Sequence, residues 1–165
     1  YQFPGTLLFG SGDAAVALSV ARAGLDAFIE LASTKSPRQM TGLLRGQVLA
    51  EADVGRAKSE LRAGQAMLHE TVRVVWEAVS ARGTITLDER VAMRMAITHP
   101  IRIAVHVIDT VYNAAGASAI YESHPLQRFF QDVHVLSQHL QGRMAHYALI
   151  GRHWLGLSVD DDTSF

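Results

Sequence analysis

The strongest hydrophobic pattern in the chain lies between Pro125 and Trp154. Apolar residues recur there at three- and four-residue steps, the spacing that places side chains on one face of an α-helix. Pro125 favours a first helical turn, because the missing N–H of proline would have no partner at that position. The pattern therefore predicts one long amphipathic helix whose apolar seam consists of Leu126, Phe129, Val133, Leu136, Leu140, Met144, Tyr147, Gly151 and Trp154.

Three more helices are predicted before this one. Alanine, valine and leucine cover several faces of residues 13–31, and a near-heptad apolar pattern runs through residues 48–81. Thr86 and Glu89 have the spacing of a capping box, which predicts the start of a helix over residues 86–114. Four long helices with short connections predict an all-α fold, an antiparallel four-helix bundle.

The length of 165 residues fits one domain with a real core. We expect residues 1–10 to be a linker from an upstream domain, residues 11–159 to form the bundle, and residues 160–165 to be an acidic tail. The apolar first residues lack the basic region of a signal peptide, and the chain does not begin with Met. We therefore interpret the chain as part of a longer protein.

Charge and composition exclude several classes of function. The net charge is −1 and the basic residues are scattered among carboxylates, which argues against nucleic-acid binding. No window holds 18 uncharged apolar residues, so no membrane span is predicted. The chain has no cysteine, which excludes disulfides, zinc–thiolate sites and thiol nucleophiles. A cytoplasmic enzyme domain fits this composition.

The eight histidines raise the question of a metal site. Carboxylate-bridged metal pairs in helical bundles need Glu-x-x-His motifs on facing helices, and this sequence contains none. We therefore predict no metal. A lone histidine at a helix interface is commonly a satisfied polar group of the core, and that interpretation stays open for each histidine taken by itself.

The segment from Asn113 to His139, NAAGASAIYESHPLQRFFQDVHVLSQH, resembles the C-terminal domain of the acyl-CoA dehydrogenase superfamily. In that family a Gln-x-x-Gly-Gly turn precedes a Pro-x-x-Arg-x-x-Arg-Asp sequence, which opens the last long helix. The corresponding residues in this chain are Asn113, Gly116, Pro125, Arg128, Gln131 and Asp132. The resemblance covers essentially the whole chain and implies the helical bundle of that domain.

One departure from the family pattern points to a branch of it. Many members place a catalytic Glu on the last helix in a Tyr-Glu-Gly-Thr motif, and that position corresponds here to Leu140. Leucine cannot abstract a proton. The preceding residue is His139, and its context, DVHVLSQH, resembles the flavin-dependent monooxygenase branch. That branch includes the oxygenase components of 4-hydroxyphenylacetate and secosteroid hydroxylases, and dibenzothiophene monooxygenase.

This resemblance implies a function. In the branch, a histidine at this place lies over the flavin beside the substrate and helps to deprotonate phenols, so His139 is the candidate catalytic residue. A neutral imidazole is well matched to accept such a proton at neutral pH. The chain would be the C-terminal helical domain of an oxygenase component, which hydroxylates a small aromatic or heteroaromatic substrate through a C4a-hydroperoxyflavin. A separate flavin reductase would supply the reduced FMN or FAD.

The resemblance also implies cofactor-binding residues and an assembly. Dehydrogenases carry Arg-x-x-Phe-Gly between the first two helices, and its arginine reaches the flavin phosphate of a neighbouring subunit. The loop here reads KSPRQMTG, with Arg38 favoured over Lys35 at the corresponding place. Asn113 stands where the family has a flavin-contacting Gln. The family usually forms tetramers through these bundles, so a homotetramer is expected, and the isolated 165 residues are expected to be inactive.

Two other functions stay open at this point. The chain also fits an acyl-CoA dehydrogenase or oxidase whose catalytic base lies elsewhere, because some members carry the base on another element. It also fits a non-catalytic helical module that serves only for oligomerisation. Assays of flavin-dependent hydroxylation and of acyl-CoA oxidation distinguish these possibilities.

Overall fold

A computed structural model describes residues 3–38 and 41–159 of the chain. The described residues contain no strand and fold into five α-helices joined by short loops and 3-10 turns. The helices are α1 (Gly5–Thr34), α2 (Val48–Arg82), α3 (Leu87–Ala115), α4 (Pro125–Ser137) and α5 (Ala145–Trp154). The predicted all-α bundle is confirmed, with its fourth helix divided into α4 and α5.

Helix α3 is the central helix of the bundle and packs against α1, α2, α4 and α5. Helices α1 and α3 run parallel, because Gly10 lies against Ile97 and Gly24 lies against Ile108. Apolar residues from these helices form the fully buried centre of the core: Leu25, Phe28, Ile97, Ile101, Val107, Ile108 and Val111. Leu87–Ile120 is long and apolar enough to cross a membrane, and 61% of its most apolar window is buried, as in a core helix.

The single helix predicted over residues 125–154 is wrong. Helix α4 ends at Ser137, the chain is extended at His139 (φ −62°, ψ 153°), and α5 begins at Ala145. The sequence pattern hides this break because the apolar spacing continues across it, although Leu140 and Met144 are 46% and 60% exposed. We call residues 138–144 the break segment.

Helix α1 begins at Gly5, earlier than the predicted start at residue 13. Leu7 is fully buried and Gly10 packs against Ile97, so tertiary contacts extend the helix through residues of low helix propensity. The division into a linker, a bundle and a tail stays a prediction. The acidic residues of the predicted tail, Asp160 to Asp162, lie outside the described part of the chain.

The predicted end of α2 and the predicted start of α3 are confirmed. Gly83 ends α2 in the left-handed conformation with φ 88°, which glycine adopts without steric cost. The Glu89 N–H donates to Thr86 Oγ1 at 3.3 Å, and the Thr86 N–H donates to Glu89 Oε2 at 2.8 Å. These two bonds form the capping box expected at the start of α3.

Candidate active site and flavin-binding residues

His139 lies in the break segment, on extended backbone, rather than on a helix as predicted. Its main chain is held at both ends: the His139 N–H donates to the Leu136 carbonyl at 3.0 Å, and its carbonyl accepts from the Gly142 N–H at 2.9 Å. Its side chain is 58% exposed, and Nδ1 lies 3.1 Å from Oδ2 of Asp13 on α1. The main chain of His139 is therefore fixed, and its imidazole is accessible to ligands.

His134 is the other histidine near the candidate site, and its contacts differ. Its Nε2 lies 2.9 Å from Oδ1 of Asp109 on α3, and its ring packs on Phe130 with 4.4 Å between ring centroids. The carboxylate of Asp109 thus contacts Nε2 of His134, whereas the carboxylate of Asp13 contacts Nδ1 of His139 and leaves Nε2 accessible. This difference favours His139 over His134 as a proton acceptor for a bound molecule.

The break segment is fixed from behind by two arginines of α3. Arg102 Nη2 donates to the carbonyls of Ser137, at 3.3 Å, and of Gly142, so that one guanidinium spans the break. Arg94, which is only 3% exposed, donates from Nη1 to Oε1 of Gln141. Gln141 Nε2 in turn donates to the Thr6 carbonyl at 3.0 Å, which ties the segment to the start of α1.

His146 on α5 is buried behind the same segment. Thr98 donates its single hydroxyl proton to the Gln141 carbonyl at 3.0 Å, and its oxygen also lies 3.0 Å from Nδ1 of His146. His146 therefore donates its Nδ1–H to Thr98. Burial lowers the pKa of His146 to about 4, and the charge of Arg94 adds to that effect. His146 is thus a neutral, hydrogen-bonded residue of the core at physiological pH.

The predicted cofactor-binding loop lies where α1 and α3 end. Lys35 Nζ donates to the Ala115 carbonyl at 2.5 Å, and the Lys35 carbonyl accepts from the Leu44 N–H at 2.8 Å. Lys35 therefore closes the loop and caps α3, which commits its charge to the bundle. Arg38 lies between these anchors and is exposed. This favours Arg38 over Lys35 as the cation that contacts a phosphate.

Asn113 lies near the end of α3, where it is exposed and borders a cleft of about 650 Å³. The cleft is lined by apolar residues near the start of α2 and by polar residues that include Asp53, Arg56 and Thr110. Its lining thus contains a carboxylate as well as a cation, a hydroxyl and an amide. Asn113 and the Arg38 loop therefore lie at the same end of the bundle.

His139 is distant from this end. Because Gly10 lies beside Ile97 and Gly24 beside Ile108, Asp13, the contact of His139, lies beside the part of α3 near Pro100. Asn113 is roughly 13 residues further along α3. At the rise of an α-helix this separation is about 20 Å. The structure thus does not bring the three predicted site residues together within one chain.

The other histidines have structural partners or exposed positions. His106 Nδ1 lies 2.8 Å from Glu60, His99 Nδ1 lies 2.8 Å from the Tyr147 hydroxyl, and His124 caps α4. Among the residues that the structure describes, no three His, Asp or Glu side chains are grouped to hold a metal ion.

Comparison with known proteins identifies the family. The pattern described as "Acyl-CoA dehydrogenase, C-terminal domain" matches residues 11–143, so the chain belongs to that family and the predicted resemblance is confirmed. The chain is 32% identical over 124 residues to an indole-3-acetate monooxygenase of Pseudomonas putida, a match that covers 75% of this chain and 32% of that protein. The chain spans about a third of the length of the curated relatives it matches.

Two further proteins support the same grouping. The chain is 27% identical over 158 residues to the oxygenase component of p-hydroxyphenylacetate 3-hydroxylase from Acinetobacter baumannii, covering 92% of this chain and 36% of that protein. XiaF from Streptomyces sp., solved in complex with FADH2 and glycerol, superimposes with a TM-score of 0.85 and 19% identity. This likeness covers 92% of this chain and 39% of XiaF and shows the shared fold.

Several residues that shape the candidate site were missed from the sequence. Asp13 contacts His139, and Arg94 and Gln141 fix the break segment, but none of them belongs to a motif. Two local signals were present. Gly142 lies inside the predicted helix, where a glycine is costly, and Asp13 is an acidic residue on an otherwise apolar stretch of α1.

Proposed function

We propose that this chain is the C-terminal helical domain of a flavin-dependent monooxygenase, the oxygenase component of a two-component system. One observation carries the proposal. At the place of the dehydrogenase carboxylate the chain has Leu140, which is 46% exposed, and beside it the proton acceptor is His139 on a fixed main chain. The names of the similar proteins, an indole-3-acetate monooxygenase and a p-hydroxyphenylacetate hydroxylase component, support a small aromatic substrate.

The role of His139 is to hold a proton. Removing a proton from a phenolic O–H or an indole N–H makes the aromatic ring more electron-rich and hence a better nucleophile. The imidazole of His139 is 58% exposed and accepts that proton, in the manner of a general base. A reduced flavin, together with dioxygen, supplies the electrophilic oxygen atom. His139 returns the proton to solvent when the product leaves.

The residues at the other end of the bundle suit the phosphate-bearing part of a flavin. Arg38 is an exposed cation on an anchored loop, and Asn113 supplies an amide beside an apolar cleft. These residues lie about 20 Å from the level of His139, so they would contact a part of a flavin remote from the ring beside that histidine, or the flavin of a neighbouring subunit. We propose the second arrangement, a homotetramer in which neighbouring subunits share flavin sites.

Exposed apolar side chains support the same assembly. Phe9, Val48 and Leu49 are each at least 75% exposed, and Val48 and Leu49 border the cleft that contains Asn113. Single exposed apolar residues are common on protein surfaces, but neighbouring ones often mark an interface. Light scattering on the intact protein should give the mass of a tetramer, and a monomer at working concentration would contradict the assembly.

The proposed function is tested in the intact protein that carries this chain. The protein is supplied with a flavin reductase, NADH and FMN or FAD, and with ¹⁸O₂ and a panel of phenols and indoles. The panel includes p-hydroxyphenylacetate and indole-3-acetate. We expect ¹⁸O in a hydroxylated product. Failure of every aromatic probe, together with acyl-CoA-dependent dye reduction, would favour a dehydrogenase instead. Inactivity in both assays, with tetramers still forming, would favour an oligomerisation module.

The role of His139 is tested in the same assay. His139→Gln should lower the hydroxylation rate by about 10²–10⁴-fold while reduced-flavin binding stays close to normal. His69→Gln is the matched control, because His69 is exposed and lies on α2, outside the break segment. An unchanged rate in His139→Gln would contradict the assignment.

The isolated chain provides a further check. It spans about a third of the length of its relatives, so we expect little or no flavin binding by these residues alone. Titration of FMN or FAD into the isolated chain, followed by flavin fluorescence, measures this. Micromolar affinity would contradict the expectation.

A further inference from the structure

The contact between Asp13 and His139 indicates which ring nitrogen of His139 carries the proton. Oδ2 of Asp13 lies 3.1 Å from Nδ1 of His139, a close contact between a carboxylate and a ring nitrogen. A neutral imidazole carries one N–H, and a carboxylate accepts hydrogen bonds and cannot donate them. The contact therefore places the proton of the neutral ring on Nδ1 and leaves the lone pair on Nε2, at the opposite edge of the ring.

We propose that Asp13 is a positioning residue for His139, which fixes the ring with Nε2 as the proton acceptor and stabilises the imidazolium formed on protonation. This inference rests on the proposed function. In the step that it serves, the O–H or N–H bond of the aromatic substrate breaks, a bond forms between that proton and Nε2, and the electron pair stays on the substrate. The charge of Asp13 offsets the positive charge that develops on the ring.

The structure holds both partners still. Asp13 projects from the body of α1, with a side chain that is only 34% exposed. His139 has both main-chain polar groups bonded, and Arg102 holds the carbonyls on either side of it. Because each backbone is fixed independently of the other, the carboxylate already lies against Nδ1 of the ring before a substrate binds.

Other histidines also lie against carboxylates. His106 contacts Glu60 through Nδ1 at 2.8 Å, as His139 contacts Asp13, but it lies on α3 rather than in the break segment. His134 is arranged differently. At His134, the carboxylate of Asp109 takes Nε2 and the ring is covered by Phe130. At His139, Nε2 has no protein partner within residues 3–38 and 41–159, and the side chain is 58% exposed. Unlike the arrangement at His134, the one at His139 leaves a basic nitrogen available to a bound molecule.

Other charged groups lie on the elements that surround this pair. Helix α3 contributes Arg94 and Arg102, which bond Gln141 and the carbonyls of the break segment, and the segment itself carries Arg143. Asp13 on α1 is the carboxylate that contacts the ring.

The test uses the intact protein and the phenolic probe of the hydroxylation assay. Asp13→Asn should lower the maximal hydroxylation rate by roughly tenfold or more, and Asp13→Glu should restore part of the rate. Asp26→Asn, on the same helix and paired with Arg22 at the surface, is the control and should leave the rate unchanged.

A double-variant cycle separates positioning from general structural support. If Asp13 acts through His139, Asp13→Asn should have no further effect in a His139→Gln background. Equal loss in both backgrounds, or an unchanged rate in Asp13→Asn, would overturn this inference while leaving the proposed function intact. An unchanged rate in His139→Gln would instead overturn the role of His139 itself.

A spectroscopic measurement tests the ring directly. In the chain labelled with ¹⁵N-histidine, the His139 resonances, assigned by their loss in His139→Gln, should show a protonated Nδ1 and an unprotonated Nε2 at high pH. Asp13→Asn should shift this balance towards the other tautomer. A protonated Nε2 in the unmodified chain would overturn the inference.

Discussion

Arg94 on α3 donates a hydrogen bond to the side-chain oxygen of Gln141, and both residues are buried at 3% exposure. No carboxylate accompanies this guanidinium in the described part of the chain; its acceptor is a neutral amide. The same amide donates to the Thr6 carbonyl. One glutamine therefore joins three elements and gives the buried cation a hydrogen-bond acceptor, while Nε of Arg94 is buried without a partner among the described residues.

Gln141→Met tests this relationship. Methionine preserves most of the volume but accepts hydrogen bonds poorly and cannot donate them, so the Arg94 guanidinium and the Thr6 carbonyl each lose the bond to Gln141. We expect a loss of about 3 kcal/mol in the free energy of unfolding, measured by urea denaturation. Gln131→Met, at an exposed position of α4, is the control and should change it by less than about 0.5 kcal/mol. Equal losses would contradict the role of Gln141.

The pKa of His146 predicts a loss of stability in mild acid. Burial lowers this pKa to about 4 from its ordinary value of 6.5, so between these values the unfolded chain binds a proton that the folded chain does not. The contribution of His146 to the free energy of unfolding is therefore fully present above about pH 6.5 and falls as the pH decreases towards 4. From pH 7 to pH 5 the loss from this group is about 2 kcal/mol.

Urea denaturation at pH 7 and at pH 5 measures this effect. His146→Asn removes the titrating group and should reduce the difference between the two pH values. The Glu89 carboxyl does not interfere, because the Thr86 N–H lowers its pKa below the ordinary 4.5 and thus outside the window. A difference of the same size in His146→Asn would show that another group is responsible.

Two glycines of α1 should respond to alanine in opposite directions. A Cβ at Gly24 would collide with Cδ1 of Ile108, where α1 and α3 approach closely, whereas a Cβ at Gly12 would meet nothing within 4 Å. Gly24→Ala should lower the free energy of unfolding by about 1–3 kcal/mol through overpacking. Gly12→Ala should raise it by roughly 0.5–1 kcal/mol, because alanine favours a helix. Stabilisation by both variants would contradict the close approach.

The capping box of α3 provides a local test. Thr86→Ala removes the acceptor of the Glu89 N–H and should lower the free energy of unfolding by about 1 kcal/mol. Thr84→Ala, two residues earlier and also exposed, is the control and should have little effect. Thermal denaturation followed by circular dichroism compares the two. Similar melting temperatures would indicate that the box does not contribute.

The sequence predicted the parts of this fold that local rules determine. The capping box at Thr86, the left-handed end at Gly83 and Pro125 at the start of α4 depend on a few adjacent residues, and each was found. The break after Ser137 was missed because Arg102, roughly 35–40 residues away along the chain, stabilises it by binding the carbonyls that a continuous helix would use.

The candidate site was predicted only in part for a related reason. His139, Arg38 and Asn113 were proposed from a family resemblance, which identifies positions but not their surroundings. The partner of His139, Asp13, lies on another helix and at a sequence distance that no motif spans. Such contacts depend on how α1 packs against the break segment, and hence on the tertiary structure.

The double anchor at Lys35 has a consequence for how this surface can diversify. Its carbonyl and its ammonium hold Leu44 and the end of α3, so the base of the loop is rigid whatever its tip contains. Residues between the anchors can be exchanged, inserted or deleted at little expense to the helices beneath. The surface chemistry of this loop can thus change by a few substitutions, while the remainder of the architecture is inherited unchanged.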